Sequence, residues 1–455
     1  MRIDRFKTMH WMNVRKLTPD QVCSLGGPST ETLVGILDGR SSFLDDDDLA
    51  RLARVLRVTP DQVAAHEGTG LAAIVQSATG LRTTRRAIQR NGIHFYNYYS
   101  MAAPPGRVAP VILDILCPAG TLPALNNGHL EPAITINIGP GDIHGRWGEQ
   151  LSSDTWQVLA ANSPSAQSSA EEPWIVGDSY VEPSYCPHSY GLVTGRPARI
   201  VSYTGASCLA GLLDEVNGWT DAAFGRLAAD WSAAPPSSVI LDAILRRRGY
   251  DADTAAKASD VAVDAIRDFL GGEVGRLGTG DLRALGDSLG FDYRVLMPAR
   301  PRRDSVGKTY LTVTGSRATV RAFESYTVAS VAAAPTLPDL TGMFMLVDGT
   351  APRLDLWDHA ETHYLVTAGE LTMRWRDADG VVASALLSPD GTAWVGPYVE
   401  HSWSGRGSLI KLGSGAHLGY LDQLELSGAF EPATTLRRGR RDVLGWGYQT
   451  PATGS

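Results

Sequence analysis

At 455 residues the chain is too long for one ordinary hydrophobic core, so roughly two to four domains are expected. Hydrophobic residues at 43% and charged residues at 20% are the balance of a folded globular chain and exclude a disordered one. A formal net charge of −8 argues against a large nucleic-acid surface, though not against a local basic pocket.

The first segment, MRIDRFKTMHWMN, has no apolar run of the kind a signal peptide needs, and no stretch approaches a membrane span in length. The expectation is a cytoplasmic protein with no membrane partner. Four cysteines, Cys23, Cys117, Cys186 and Cys208, show no paired spacing and suit a reducing compartment. Cys186 lies two residues before His188 and could be a soft metal ligand, but a small residue in a strand-to-turn segment is the stronger reading.

The first seventy or so residues read as three or four short helices of a helix-turn-helix kind. Thr18-Pro19-Asp20 and Thr59-Pro60-Asp61 each place a capping hydroxyl before a proline. Asp45 to Asp48 put negative charge at a helix start, and Leu49, Leu52 and Leu56 follow on one face. From about residue 88 the pattern turns to short β-rich runs, IHFYNYYS, VAPVILDIL, PAITINI and ARIVSYT, separated by turns such as GPGD and NNG. These predict an antiparallel barrel or jelly roll. The segment 162–173 is a polar insertion without periodicity, and 206–232 is a helical connector leading to the linker AAPPSS.

The pattern then recurs. DLRALGDSLGFD (281–292) parallels DLARLARVLRVT (48–59), and DHAETHYLVTAGELTMRW (358–375) parallels GHLEPAITINIGPGDIHGRW (128–147). This sets His359 opposite His129 and Glu361 opposite Glu131. VGPYVEHSW (395–403) echoes VEPSYCPHSY (181–190), with His401 opposite His188 but Gly396 opposite Glu182. The fold class expected is α+β: a tandem repeat of an all-α helix-turn-helix-like module followed by a jelly-roll β-barrel. The boundaries expected are 1–80 and 81–205 for the first pair, 206–235 for the connector, and 236–300 and 301–455 for the second pair. Having lost an acid, the second barrel reads as a degenerate copy, although His359, Glu361 and His363 could bind a metal adventitiously.

The residues most able to carry chemistry are His129, Glu182 and His188. Two imidazoles and one carboxylate cover one face of an octahedral ion and leave positions open, the arrangement of mononuclear non-haem Fe(II). Each alone has a plainer reading: a turn histidine, an exposed loop acid, a hydrogen-bonded core histidine. Together, inside a barrel, the metal reading is the better one. His129-x-Glu131 is a competing pair, and taking both residues to share one strand face leaves Glu131 against Glu182 close to even. Arg90, Tyr98, Asn126, Lys16 and Lys411 are donors suited to an anionic ligand, although any one of them could be an ordinary solvated residue. The basic run 437–441 reads as the end of a surface helix or an interface.

With these residues in view, the sequence resembles the 2-hydroxyethylphosphonate dioxygenase family over nearly its full length. The blocks that carry the resemblance are RIDRFKTMHWMN, IQRNGIHFYNYY, LPALNNGHLEP, GDSYVEPSYCPHSY, GFDYRVL, KLGSGAHLGY and RRGRRD. The resemblance implies two helical modules and two cupin barrels, and one Fe(II) per chain on His129, Glu182 and His188, which favours Glu182 over Glu131. It implies that Arg90, Tyr98, Asn126 and Ser202 bind the phosphonate and that Lys16 and Lys411 contribute from outside the first barrel. Lys16, Tyr98 and Glu182 are the residues it places in catalysis. The implied reaction cleaves the C–C bond of 2-hydroxyethylphosphonate with O2 as co-substrate and no 2-oxoglutarate, giving hydroxymethylphosphonate and formate in antibiotic biosynthesis. A homo-oligomer is left open.

Three other readings compete. A sister activity, methylphosphonate synthase, would act on the same substrate. A transcription regulator would need a basic DNA-reading face, and Arg51, Arg54 and Arg57 instead alternate with the apolar face of an ordinary amphipathic helix. A cupin isomerase would not need the iron triad.

Overall fold

The structure, a computed structural model, describes residues 1–65, 71–90, 92–121, 124–148, 156–160, 177–205, 207, 209, 213, 216–226, 235–297, 308–334, 337, 340–349, 353–414, 425–426, 428–429 and 431–440. The expected insertion at 162–173, about half of the connector at 206–232 and Cys208 lie outside these residues. Among the described residues no helix is long and apolar enough to cross a membrane, and Cys23 and Cys117 are free thiols.

The chain opens with α1 (Arg5–Arg15), α2 (Pro19–Ser24), α3 (Thr30–Leu37) and α4 (Asp46–Leu56). Their ends follow from local chemistry. The Asp4 carboxylate accepts the first amides of α1, Thr18 and Gln21 form a reciprocal cap with Pro19 in the first turn of α2, and Asp45 caps α4. Leu49, Leu52 and Leu56 are buried with Met12, Val22, Leu33 and Ile36 in a small helical core. A second helical group spans Pro236–Arg248, Ala252–Ser259, Val263–Leu270 and Thr279–Leu289 around Leu241, Ile266, Phe269 and Leu285.

The first barrel is built from β2 (Arg86–Arg90), β3 (Ile93–Ser100), β4 (Val111–Ile115), β5 (Ala133–Pro140), β8 (Ser179–Glu182) and β10 (Ala198–Thr204), closed by a smaller sheet of β6 (Ile143–Trp147), β7 (Trp156–Leu159) and β9 (His188–Leu192). The second uses β12 (Arg321–Ala322) through β18 (His401–Ser414), with β15 (Thr362–Arg376) and β17 (Thr392–Val395) beside β18. Two short strands cross over. β1 (Ala73–Gln76), ahead of the first barrel in sequence, pairs with β17 of the second. β11 (Thr309–Leu311), ahead of the second barrel, pairs with β8 of the first. Each barrel is thus completed by a strand that leads into the other.

Between the barrels Ile112, Ile134, Ile136, Val181 and Val201 pack against Phe344, Leu365, Ile410 and Leu412. This explains why β5 is buried along nearly its whole length although Thr135 and Asn137 alternate with its isoleucines: one face lines its own barrel and the other meets the second one. Arg199 ties the two across the joint, its Nε 2.6 Å from Asp114 and a terminal nitrogen 2.7 Å from Asp390.

Candidate metal centre

Three chain segments converge at one end of the first barrel. His129 lies ahead of β5, Glu182 ends β8 and His188 opens β9. The segment 124–129 can lie against 185–186 because residue 128 is glycine. Gly128 has φ +72, and a Cβ there would meet the Tyr185 carbonyl carbon at 2.5 Å and the Cys186 nitrogen at 2.7 Å. The Tyr185 amide in turn donates to the His129 carbonyl at 2.6 Å.

The Glu182 carboxylate is buried between the two imidazoles, with Oε1 3.2 Å from His129 Nε2 and Oε2 3.3 Å from His188 Nδ1. The second contact is an approach, not a hydrogen bond, because His188 Nδ1 is directed at the Cys186 carbonyl 3.0 Å away. Glu182 Oε2 is left buried without a hydrogen-bond partner. A buried carboxylate oxygen in that state needs a cation. One ligand atom from each of the three residues lies within 4.8 Å of the others, and no other such group of three occurs among the described residues. The set therefore fits a divalent iron-type ion. His129 Nδ1 pairs closely with the Glu131 carbonyl, which turns Nε2 toward the centre, the backing a metal-binding imidazole needs. The hydrogen bond to Glu182 raises the His129 pKa above the usual imidazole value, outweighing burial.

The close contest between Glu131 and Glu182 rested on His129 and Glu131 sharing a strand face, and that premise is corrected here. Both residues precede β5 and belong to no strand, so alternation does not apply. Glu131 contributes its backbone carbonyl, and Glu182 brings its carboxylate to the histidines. Cys186 is buried with Sγ near the Pro187 carbonyl and is outside the group.

A cavity of about 280 Å³ opens beside the triad, lined among others by Arg86, Tyr96, Tyr98, Asn126, His129, His188, Tyr190 and Ser202. Asn126 Oδ1 accepts from the amides of Gly128 (2.9 Å) and His188 (3.0 Å), so its NH2 group points the other way, 2.8 Å from His188 Nε2. Ser202 and Thr135 share a hydroxyl hydrogen bond of 3.0 Å on the cavity wall. Beneath lie Tyr180 and Tyr190, joined through their hydroxyls, with burial holding both phenols well above their usual pKa and therefore protonated.

Of the anion-binding candidates, Tyr98, Asn126 and Ser202 line this cavity and Lys16 and Lys411 do not. Lys16 is exposed and ends α1 in a left-handed conformation. Lys411 lies in the second barrel with its Nζ 2.8 Å from Asp358 Oδ1. Arg90 sits in β2 opposite Ile93, and its side chain lies outside the described residues. The side chains of 437–440, at the end of helix Pro432–Arg440, are likewise undescribed. Arg86, which the sequence reading passed over, does line the cavity. Its one signal in the sequence was its place four residues before Arg90, and the strand register adds that its neighbour across the pair is Tyr98.

The second barrel shows what became of the matching positions, and it shifts the expected alignment by one residue. The Tyr398 amide donates to the Asp358 carbonyl at 2.6 Å just as Tyr185 does to His129, and both tyrosines have positive φ. Asp358, not His359, therefore stands opposite His129. Strand register places Val395, not Gly396, opposite Glu182, since Ala133 pairs Glu182 and Thr362 pairs Val395. By the same pairing Lys411 matches Ser202 and Tyr364 matches Thr135. The suggested adventitious cluster does not form. His359 is exposed, Glu361 accepts from Trp394 Nε1 at 3.2 Å, and His363 faces the Ala102 carbonyl at 3.1 Å.

The fold and site define a cupin-type β protein whose first barrel brings together His129, Glu182 and His188, a set that could hold a metal ion. The family described as "2-hydroxyethylphosphonate dioxygenase cupin-like domain" matches residues 82–205. A curated 2-hydroxyethylphosphonate dioxygenase from Streptomyces viridochromogenes is 51% identical over 448 residues, covering 98% of this chain and 100% of the relative. The chain belongs to the 2-hydroxyethylphosphonate dioxygenase family. A solved structure of PhpD with cadmium and hydroethylphosphonate superposes with a TM-score of 0.82 at 50% identity, covering 97% of this chain and 100% of that one. A Streptomyces albus enzyme, solved with 2-hydroxyethylphosphonate and Fe(II), shares the fold at a TM-score of 0.75 and 20% identity, over 98% of this chain and 99% of that one.

Proposed function

We propose that this chain is an Fe(II)- and O2-dependent dioxygenase that cleaves the C–C bond of 2-hydroxyethylphosphonate to hydroxymethylphosphonate and formate. The observation that carries the reading is the His129–Glu182–His188 triad, its Glu182 and His188 buried, opening into a cavity lined by neutral donors and Arg86, in a chain 51% identical to a 2-hydroxyethylphosphonate dioxygenase. His129, Glu182 and His188 would hold one Fe(II). When bound, it supplies open coordination positions at which substrate and O2 are brought together. Tyr98, Asn126 and Ser202 orient the phosphonate from the cavity wall, with Arg90 assigned beside them by family resemblance. Atoms balance without another reductant: the 2-hydroxyethylphosphonate dianion and O2 yield hydroxymethylphosphonate, formate and one proton. No 2-oxoglutarate enters that balance.

The assignments of Lys16 and Lys411 to substrate and of Lys16 to catalysis rest on resemblance, since neither is among the described residues that line the cavity. A homo-oligomer, in which another copy brings a lysine to the cavity, would reconcile the two. The same proposal includes the division 1–80, 81–205, 206–235, 236–300 and 301–455, with the helical groups as tandem helix-turn-helix-like modules. It includes a cytoplasmic place in antibiotic biosynthesis without a nucleic-acid partner.

The test is anaerobic loading with Fe(II), addition of 2-hydroxyethylphosphonate and air, and 31P NMR with a formate assay. Hydroxymethylphosphonate with one formate per turnover is expected. Methylphosphonate as the product would move the chain to the sister activity, and untouched substrate would remove the proposal.

A further inference from the structure

Beyond the metal ligands and the neutral donors, the cavity has one charged wall residue that the family resemblance does not assign. Among the described residues that line it, Arg86 carries the one guanidinium or ammonium group. Arg86 begins β2 and pairs in register with Tyr98 on β3, so the two side chains leave the sheet on the same face. The guanidinium carbon lies 5.2 Å from the centre of the Tyr98 ring. That stacking holds the planar group over the ring. No carboxylate of the described residues forms an ion pair with it, unlike Arg199, whose guanidinium also faces a tyrosine ring but ends on Asp114 and Asp390. An arginine that is stacked, lacks an acid partner and lies beside a cavity is ready for an anion.

We infer that Arg86 is a specificity-determining residue of the phosphonate subsite: it captures the dianionic end of the substrate at the cavity wall and hands it to Tyr98. The inference rests on the proposed substrate. Position supports the role. Arg86 is exposed at the residue level yet lines the cavity, so it can meet the anion in solvent and remain in contact with it inside. A guanidinium also grips two phosphonate oxygens at once with paired N–H groups and a full charge, which the neutral donors around it do not supply. Tyr98, Asn126 and Ser202 then supply direction, and Arg86 supplies charge.

The experiment compares Fe(II)-loaded wild type with Arg86→Ala and Arg86→Lys on 2-hydroxyethylphosphonate across a range of ionic strength. In Arg86→Ala, KM is expected to rise by roughly 10-fold or more, far more than kcat falls, because a charge-assisted contact to substrate is lost. The decline of kcat/KM with salt should flatten in Arg86→Ala and return in Arg86→Lys. An unchanged KM with an unchanged salt dependence overturns the inference. So does a loss of kcat at constant KM, which would make Arg86 a prop for the Tyr98 ring. If wild type leaves 2-hydroxyethylphosphonate untouched, the functional proposal fails separately. Calorimetric binding of methylphosphonate as a probe anion then decides Arg86: weaker binding in Arg86→Ala sustains it, and equal binding overturns it.

Discussion

At the open end of the first barrel, two imidazoles flank a buried Glu182 oxygen that no group of the described residues hydrogen-bonds. At the matching end of the second barrel, Asp358, Val395 and His401 occupy the three positions, and every charge is met from within the chain. Lys411 stands where Ser202 stands in the first barrel and places its ammonium 2.8 Å from Asp358. Tyr364 stands where Thr135 stands, and its hydroxyl lies 2.7 Å from His401 Nε2. A buried acid requires a nearby positive charge. One barrel is built to take that charge from a dissolved ion, and the other carries it on a side chain. The difference explains why the second copy can keep its fold without a metal, and β11 shows why the copy is retained. That strand comes from the second half and pairs Thr309 with Val181, next to Glu182.

The comparison breaks most sharply at Glu182. Glu182→Ala is expected to lower Fe(II) affinity and turnover by more than the roughly 100-fold that loss of a group orienting a ligand can cost. Glu131→Ala should stay close to wild type, because its carboxylate is not in the triad. Metal titration and product formation measure both. Equal losses in the two variants would return the ligand choice to Glu131.

Acid should strike the second barrel next. Burial lowers the imidazole pKa of both His363 and His401 from 6.5 to about 4. His401 also faces Asp355, Asp358 and Lys411, whose effects are smaller than burial, and His363 faces the Ala102 carbonyl. The unfolded chain takes up these protons near 6.5, so between there and about 4 it binds more protons than the folded one. Stability from keeping these groups neutral is therefore complete above 6.5 and is lost as pH falls toward 4. Melting temperature followed through that window should fall, and less steeply in His401→Gln. A flat profile would mean that the second barrel does not bury these rings.

A smaller effect is expected at Lys411. Lys411→Met leaves Asp358 without its ammonium and should cost about 1–3 kcal/mol, limited by partial exposure of the pair. Ser202→Ala at the matching position in the first barrel should cost no more than about 1 kcal/mol. Thermal unfolding of both variants checks the contrast. If Lys411→Met instead loses turnover at unchanged stability, the lysine serves substrate, as the family resemblance implies.

The sequence by itself determined the local elements. Period-two apolar runs define β3 and β10, proline after a capping hydroxyl starts α2, and four aspartates start α4, since each depends on neighbours a few residues away. The histidines and the acid were also legible, because few residue types bind iron. What only tertiary structure decided depends on distance across the chain. Spacing alone left Glu131 and Glu182 close to even and the family resemblance favoured Glu182; the physical reason lies in the path of residues 124–132, which enters no strand and escapes period-two reasoning. The one-residue shift that puts Asp358 opposite His129 comes from a hydrogen bond between remote backbones, which sequence similarity cannot count. The exchange of β1 and β11 has no local signal at all. A four-residue or three-residue strand finds its partner by packing, and here the available edge belongs to the other barrel.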